Sequence, residues 1–288
     1  MDSLKDMVLL KGKFVHAGII SPSRAARFDV PYIPTPHEVV EEMLRLAGVG
    51  GEDILYDLGC GDGRIVISAA RQYGACGVGV DINPRRIMES CRNAHKARVR
   101  DKVRFVRKSI FDADTSKATI VTLYLLSSVN VKLRPKLLRE LKPGTRIVSH
   151  EFNMGDWPPD QALEVEGHPV YSWVVPANVR GEWEWTMQDS GGAHTICTLR
   201  LSQRFQTVAG RLRTGGVEMP LTDAMLKGDM LRFTVRQGTS GLKRPIRFRG
   251  RVDGDFIRGV MVSDNRVHAR VGWTAGRAQS APGPIDGS

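Results

Sequence analysis

No stretch of this 288-residue chain approaches the roughly 20 consecutive apolar residues that cross a bilayer, so no membrane span is expected. The segment Met7 to Ile20 is broken by Lys11, Lys13 and His16 and follows no basic stretch, which makes it a poor secretory leader. A leader upstream of Met1 stays open. Cysteine is scarce: Cys60, Cys76, Cys91 and Cys197 show no paired ligand spacing, and small apolar packing is the expected role of the first three. A reducing, cytoplasmic compartment fits that usage. His37, His95, His150 and His168 are scattered, so no metal cluster is expected from them. Disorder over long stretches is excluded by composition, with 41% hydrophobic and 25% charged residues.

What the chain does have is a formal net charge of +11. The excess is shared by both halves. One dense run, Arg85 to Lys108, carries ten Lys/Arg against Glu89 and Asp101. It falls on a helix and the turn after it, where a solvated face is the simpler reading and an anionic or RNA contact the weaker one.

Residues 1–28 lack a strong period and read as an N-terminal arm. Three prolines in Pro31-Tyr32-Ile33-Pro34-Thr35-Pro36 enforce an extended or turning backbone. A helix opens at Thr35 or Pro36, with Val39, Val40, Met43, Leu44 and Leu46 at helical spacing. Strand and helix then alternate. Strands are expected at 54–57, 77–81, 103–106, 120–125 and 146–150, with helices at 64–73 and 84–96. Such alternation implies an α/β, doubly wound, Rossmann-like parallel sheet covered on both faces. It is assigned to residues 29–160. Beyond Trp157-Pro158-Pro159-Asp160, short β-type segments follow one another, from Tyr171–Val175 to Arg266–Gly272, with turns at Lys227-Gly228-Asp229 and Asp253-Gly254-Asp255. Residues 161–276 are therefore read as an all-β meander, a small barrel or sandwich. Residues 277–288 are Pro/Gly/Ser-rich and read as a disordered tail.

The most informative segment is Asp57-Leu58-Gly59-Cys60-Gly61-Asp62-Gly63-Arg64, set between the first strand and its helix. Ligands of doubly wound sheets bind beyond the strands' carboxyl ends, and glycine lets the backbone turn sharply and approach a ligand. The spacing G-x-G-x-G departs from the G-x-G-x-x-G that presents a helix N-terminus to a pyrophosphate. A ligand with an ammonium suits it better, held by Asp57 and the Gly59 carbonyl. Asp81, 24 residues after Asp57 at the end of the second strand, is placed to accept ribose hydroxyls. Asp112, after the third strand, can accept an exocyclic amine. Each element alone has a structural reading; Asp81, for instance, could cap the helix begun at Pro84.

In this order and on these elements, residues 29–160 resemble the class I, seven-stranded S-adenosylmethionine-dependent methyltransferases. The segment Pro31 to Thr35 ahead of Asp57 to Val66 is most similar to a narrower group of protein-lysine N-methyltransferases and bacterial relatives. The resemblance implies S-adenosyl-L-methionine as cofactor and S-adenosyl-L-homocysteine as product; with the histidines scattered, metal-dependent O-methylation has no visible support. It implies a cofactor set of Tyr32, Thr35, Asp57, Gly59, Cys60, Gly61, Asp81, Ile82, Asn83 and Asp112, with Tyr32 to Thr35 covering the methionine end.

For the acceptor pocket the candidates are Tyr32, Tyr124, Glu151 and Trp157; core packing is the competing reading for Tyr124 and Trp157. No catalytic base stands out. Leu123-Tyr124-Leu125-Leu126-Ser127 lacks the Asn/Asp-Pro-Pro-Tyr/Phe pattern of N6-adenine and amide methylases, which disfavours a DNA base. Trp173, Trp183 and Trp185 read as core, and Lys243 to Arg251 as a half-solvated strand with a weaker anion or RNA option. A protein amine, lysine foremost, is the expected acceptor, with a small-molecule methyltransferase or a non-catalytic S-adenosylmethionine-binding regulator as alternatives. The β-rich part would serve acceptor recognition or dimerisation; nucleic acid is not favoured.

Overall fold

The computed structural model describes residues 7–10, 13–16, 33–188, 192–237, 244–263, 270–278 and 285. Within the arm, β1 (Met7–Leu10) and β2 (Lys13–His16) pair as an antiparallel hairpin. Tyr32 lies outside the described residues, as does most of the tail.

Helix α1 (His37–Leu46) starts after Pro36, whose fixed φ suits a helix entrance, and turns Val39, Val40, Met43 and Leu44 inward. The alternating elements follow: β3 (Ile54–Leu58), α2 (Arg64–Tyr73), β4 (Cys76–Asp81), α3 (Pro84–Lys96), β5 (Val103–Arg107), β6 (Ile120–Leu123), α4 (Ser127–Glu140), β7 (Arg146–His150), β8 (Gln161–Val165) and β9 (His168–Val174). They form one seven-stranded sheet in the order β5-β4-β3-β6-β7-β9-β8. The first five pair in parallel, and β9 runs antiparallel between β7 and β8. Strand order reverses beside β3, between its neighbours β4 and β6. That reversal opens the crevice in which such sheets bind ligands.

Two findings depart from the sequence reading. Helix α4 was not expected: Pro135 lies inside it, and its buried positions Asn130, Leu133, Lys136 and Leu137 include an amide and a cation. The division at residue 160 also falls inside the sheet, because β8 and β9 close its edge against β7. Alternating burial marks a strand; it does not say which sheet the strand joins.

The remaining strands are β10 (Gly181–Gln188), β11 (His194–Arg204), β12 (Thr207–Thr214), β13 (Val217–Pro220), β14 (Thr222–Lys227), β15 (Met230–Gln237), β16 (Arg244–Asp253), β17 (Phe256–Ser263) and β18 (Arg270–Arg277). They make a nine-stranded antiparallel sheet, β13-β12-β11-β10-β18-β17-β16-β15-β14, that nearly closes as β14 returns towards β12. Both expected Gly turns are hairpin turns, joining β14 to β15 and β16 to β17. Trp183, Trp185, Phe233, Phe248 and Trp273 fill the interior. The last strand reaches Arg277 and so enters the segment read as a tail. Beyond it Ile285 is buried, and its carbonyl accepts from Phe205 N at 2.7 Å. Of the cysteines, Cys60 and Cys197 are buried, but Cys76 and Cys91 are exposed, against the packing role expected of them.

The two sheets meet around Trp157. This residue is fully buried, stacks on Phe205 with ring centroids 5.5 Å apart, and packs on Trp173 at 6.0 Å. Its indole N–H donates to Gln206 Oε1 at 2.8 Å, and Gln206 Nε2 donates to the Pro158 carbonyl at 2.7 Å. Trp157 is therefore a core residue joining the two units, which corrects its place among acceptor-pocket candidates. Phe205→Ala should leave a void on the Trp157 face. A urea titration followed by tryptophan fluorescence is expected to show a loss of about 3–5 kcal/mol, and an unchanged midpoint would contradict this packing.

Candidate functional site

The loop after β3 is shaped by three glycines with positive φ: Gly59 (90°), Gly61 (53°) and Gly63 (81°). At Gly63 the constraint is also steric, since a Cβ there would lie 2.7 Å from Ser90 Cβ and 2.8 Å from the Phe105 ring. Helix α2 can thus begin directly on the sheet. The loop is sewn to β4, with Gly59 N and Cys60 N both donating to the Val80 carbonyl at 2.8 and 3.0 Å. Asp81 then fixes two loops at once. Its Oδ2 accepts from Gly61 N at 3.0 Å and its Oδ1 from Asn83 N at 2.8 Å. Each oxygen keeps a further lone pair for a ligand hydroxyl. The cap of α3 is Asn83, whose side chain accepts from Arg85 N at 3.0 Å, so capping is not the task of Asp81.

Asp57 sits at the bottom of this crevice, 3% exposed, and its Oδ1 accepts from Thr122 Oγ1 at 2.8 Å. Burial raises its carboxyl to about 7; the Thr122 hydrogen bond opposes the shift, and the Asp81 and Asp62 charges add to it. Among the described residues no Lys or Arg pairs with it. A buried carboxylate without a cation is a fitting receptor for an ammonium group. Neighbouring Cys60 is buried as well, which pushes its thiol far up and leaves it unreactive. Ile82 is 44% exposed and Asp112 exposed, both on the loops beyond the sheet's carboxyl edge.

The segment ahead of α1 is tied into the same place. Arg64, paired with Asp62, donates from Nη1 to the Thr35 carbonyl at 2.7 Å. Thr35 is itself buried, and its Oγ1 lies 3.3 Å from His150 Nδ1. Thr35 therefore links the glycine loop to the end of β7, beside β6.

Four side chains converge there. Tyr124, just past β6, lies against His150 with ring centroids 3.9 Å apart. His150 ends β7 and is fully buried; His168 opens β9, with its ring centroid 5.1 Å from that of His150. Glu151 stands between them, its Oε1 2.8 Å from His168 Nδ1 and 3.9 Å from His150 Nε2. Potential ligand atoms of His150, Glu151 and His168 all fall within 4.8 Å of one another, so the expectation that these histidines stay apart is corrected. The 2.8 Å contact is a hydrogen bond. Burial, with the neighbouring His168, lowers His150 to about 4 and keeps it neutral, while burial and the Glu151 charge raise Tyr124 to about 12. Sequence reasoning had Tyr124 and Glu151 but missed both histidines. His168 is 18 residues after His150, and only the insertion of β9 beside β7 makes them neighbours.

The ANTKMT methyltransferase domain matches residues 57–161. A protein-lysine N-methyltransferase of Saccharolobus islandicus (strain REY15A) is 49% identical over 151 residues, covering 51% of this chain and 94% of the relative. The adenine nucleotide translocase lysine N-methyltransferase of Mus musculus is 32% identical over 133 residues, covering 46% of this chain and 58% of that protein. A crystal structure described as an RNA methyltransferase from Salinibacter ruber, in complex with S-adenosyl-L-homocysteine, superposes with a TM-score of 0.51. It is 54% identical and covers 51% of this chain and 96% of that one. No described helix is long and apolar enough to cross a membrane. The chain belongs to the S-adenosylmethionine-dependent methyltransferases, with an ANTKMT methyltransferase domain over residues 57–161.

Proposed function

We propose that the enzyme methylates the side-chain amine of a protein lysine, with the cofactor lying across the ends of β3 and β4 and the acceptor entering beside β6 and β7. The observation that carries the acceptor assignment is the convergence of Tyr124, His150, Glu151 and His168. An aromatic wall with one carboxylate suits a cationic chain end, and the likeness to the Saccharolobus islandicus protein-lysine N-methyltransferase supports the same acceptor.

When bound, S-adenosylmethionine supplies a methyl group on a positively charged sulfur, already activated for displacement. The chain's own work is to orient and to exclude water. In this reading Asp57 and the Gly59 carbonyl hold the ammonium of the methionine end, Asp81 accepts from the ribose hydroxyls, and Asp112 from the adenine amine. Cys60, Gly61, Ile82 and Asn83 line the same cleft. Thr35 covers the methionine end, held by Arg64 and His150. Tyr124 and Glu151 line the acceptor side. A lysine entering this half-buried pocket is partly desolvated, which lowers the pKa of its amine and favours the nucleophilic form.

RNA is the second reading, because the Salinibacter ruber structure is described as an RNA methyltransferase and the run Arg85 to Lys108 is mostly exposed on α3 and its flank. The labelled product decides. Incubation of the enzyme with methyl-labelled cofactor and a cell lysate is expected to give label that protease releases and nuclease does not, recovered as methylated lysine after hydrolysis. Label released by nuclease would sink the lysine reading; label confined to small molecules would move the activity to another acceptor class.

Asp57 supplies a pH test. Its folded pKa of about 7 lies above the ordinary aspartate value of about 4, so the fold favours the protonated form. That stabilising contribution is complete below about pH 4 and is lost as pH rises through about 7. An ammonium partner favours the ionised form instead, so cofactor affinity should climb from pH 5 to pH 7 with release of a proton, then level off. Asp57→Asn should flatten both the urea midpoint and the calorimetric affinity across this window. An unaltered affinity profile in that variant would remove Asp57 from the cofactor site.

A further inference from the structure

A lysine arrives as an ammonium ion and must lose a proton before its nitrogen can attack, yet Tyr124 and His150 offer no route for that proton. Tyr124 is a phenol held above its normal pKa, so it stays protonated at neutral pH. His150 is fully buried, its Nε2 has no hydrogen-bond partner among the described residues, and its neutrality is enforced by the surroundings. It can hydrogen-bond an amine but cannot carry charge out to solvent.

Glu151 differs in three respects. Its side chain is 20% exposed and that of His168 33%, so burial falls stepwise from His150 through Glu151 to His168 and water. Its Oε1 is engaged by His168 at 2.8 Å, which leaves the second carboxylate oxygen to take a proton. Its backbone is held at φ 61°, a left-handed conformation that a glutamate adopts only at a cost and that glycine or asparagine would occupy more easily. The Glu151 N–H donates to the Pro169 carbonyl at 2.7 Å and locks that conformation. The groups facing Glu151 are Tyr124 from the turn just past β6, His150 from β7 and His168 from β9, with Thr35 behind His150. Among the described residues, no Lys or Arg forms an ion pair with its carboxylate.

Resting on the lysine reading above, we propose that Glu151 is the catalytic proton acceptor of methyl transfer and that His168 positions it. In this step the ammonium gives one proton to the free carboxylate oxygen of Glu151, leaving a neutral amine hydrogen-bonded towards His150 Nε2. The nitrogen lone pair then forms the bond to the methyl carbon as the carbon–sulfur bond breaks, and that electron pair stays on sulfur. The products are a methylammonium and S-adenosylhomocysteine. The proton leaves Glu151 through its exposed edge to water, which restores the carboxylate.

The test compares wild type with Glu151→Gln, which preserves shape, and Glu151→Gly, which relieves the left-handed backbone. Methyl-lysine is measured on the protein fraction of a heat-treated cell lysate from pH 6.5 to 10, and S-adenosylhomocysteine affinity by calorimetry. Both variants should bind S-adenosylhomocysteine within about twofold of wild type and lose about 100-fold in rate at pH 7.5, within the usual range for general-base catalysis. Their rates should recover about tenfold per pH unit as solvent deprotonates the lysine, while the wild-type profile flattens. His168→Gln should lose less and shift the wild-type profile without changing its alkaline limit. Equal rates and equal pH profiles in wild type and Glu151→Gln would overturn the proposal. So would wild-type activity that a chelator abolishes and zinc restores, which would assign the cluster to an ion. A wild type that binds S-adenosylhomocysteine but forms no methyl-lysine would instead overturn the lysine reading, and this inference with it.

Discussion

The carboxylate of Asp81 sits at the end of β4 and accepts one backbone N–H from the glycine loop and another from the loop that opens α3. Those two loops are the lips of the crevice. Two acceptor atoms on one side chain therefore set the width of the opening and face it with negative charge. The rest follows from that constraint. Gly63 must lack a Cβ for α2 to start so close to Phe105, and Arg64 then reaches across to the carbonyl of Thr35. Thr35 in turn stands against His150. Thr35 thus joins the glycine loop to the cluster of Tyr124, His150, Glu151 and His168, through Arg64 on one side and His150 on the other.

The β-rich unit is attached to this arrangement by packing rather than by chemistry. Trp157, Phe205 and Gln206 join it to the edge of the seven-stranded sheet, and its own interior is filled by three tryptophans and two phenylalanines. Its outer face carries exposed arginines, Arg232 and Arg236 on β15, Arg247, Arg249 and Arg251 on β16 and Arg258 on β17. On that face Arg232 lies opposite Arg249, and Arg251 opposite Arg258. Like charges in register oppose pairing, and nearby Asp229 and Asp253 offset two of them.

Much of this was legible in the residues, and what was not has a physical reason in each case. The glycine loop and Asp81 were readable because their constraint is local: spacing along the chain already fixes the turn. Helix α4 was not, since Pro135 interrupts its period and Lys136 is buried through pairing with Glu140. Strands β8 and β9 are short β-type segments like those that follow, and only the hydrogen bonding of β9 to β7, and of β8 to β9, assigns them to the first sheet. Trp157 could be core or pocket by its chemistry; the stacking on Phe205 decides it. The pairing of Glu151 with His168 depends on a strand inserted out of sequence order, which no local pattern announces.

Every role proposed above requires a sulfonium donor in the crevice beside Asp81. Calorimetric titration of S-adenosylhomocysteine into wild type and Asp81→Ala tests it most directly. One site per chain is expected in wild type, with a loss of at least about tenfold in affinity in the variant, consistent with removal of a charged hydrogen-bonding group. Equal affinity in the two proteins, or no binding to either, would contradict it.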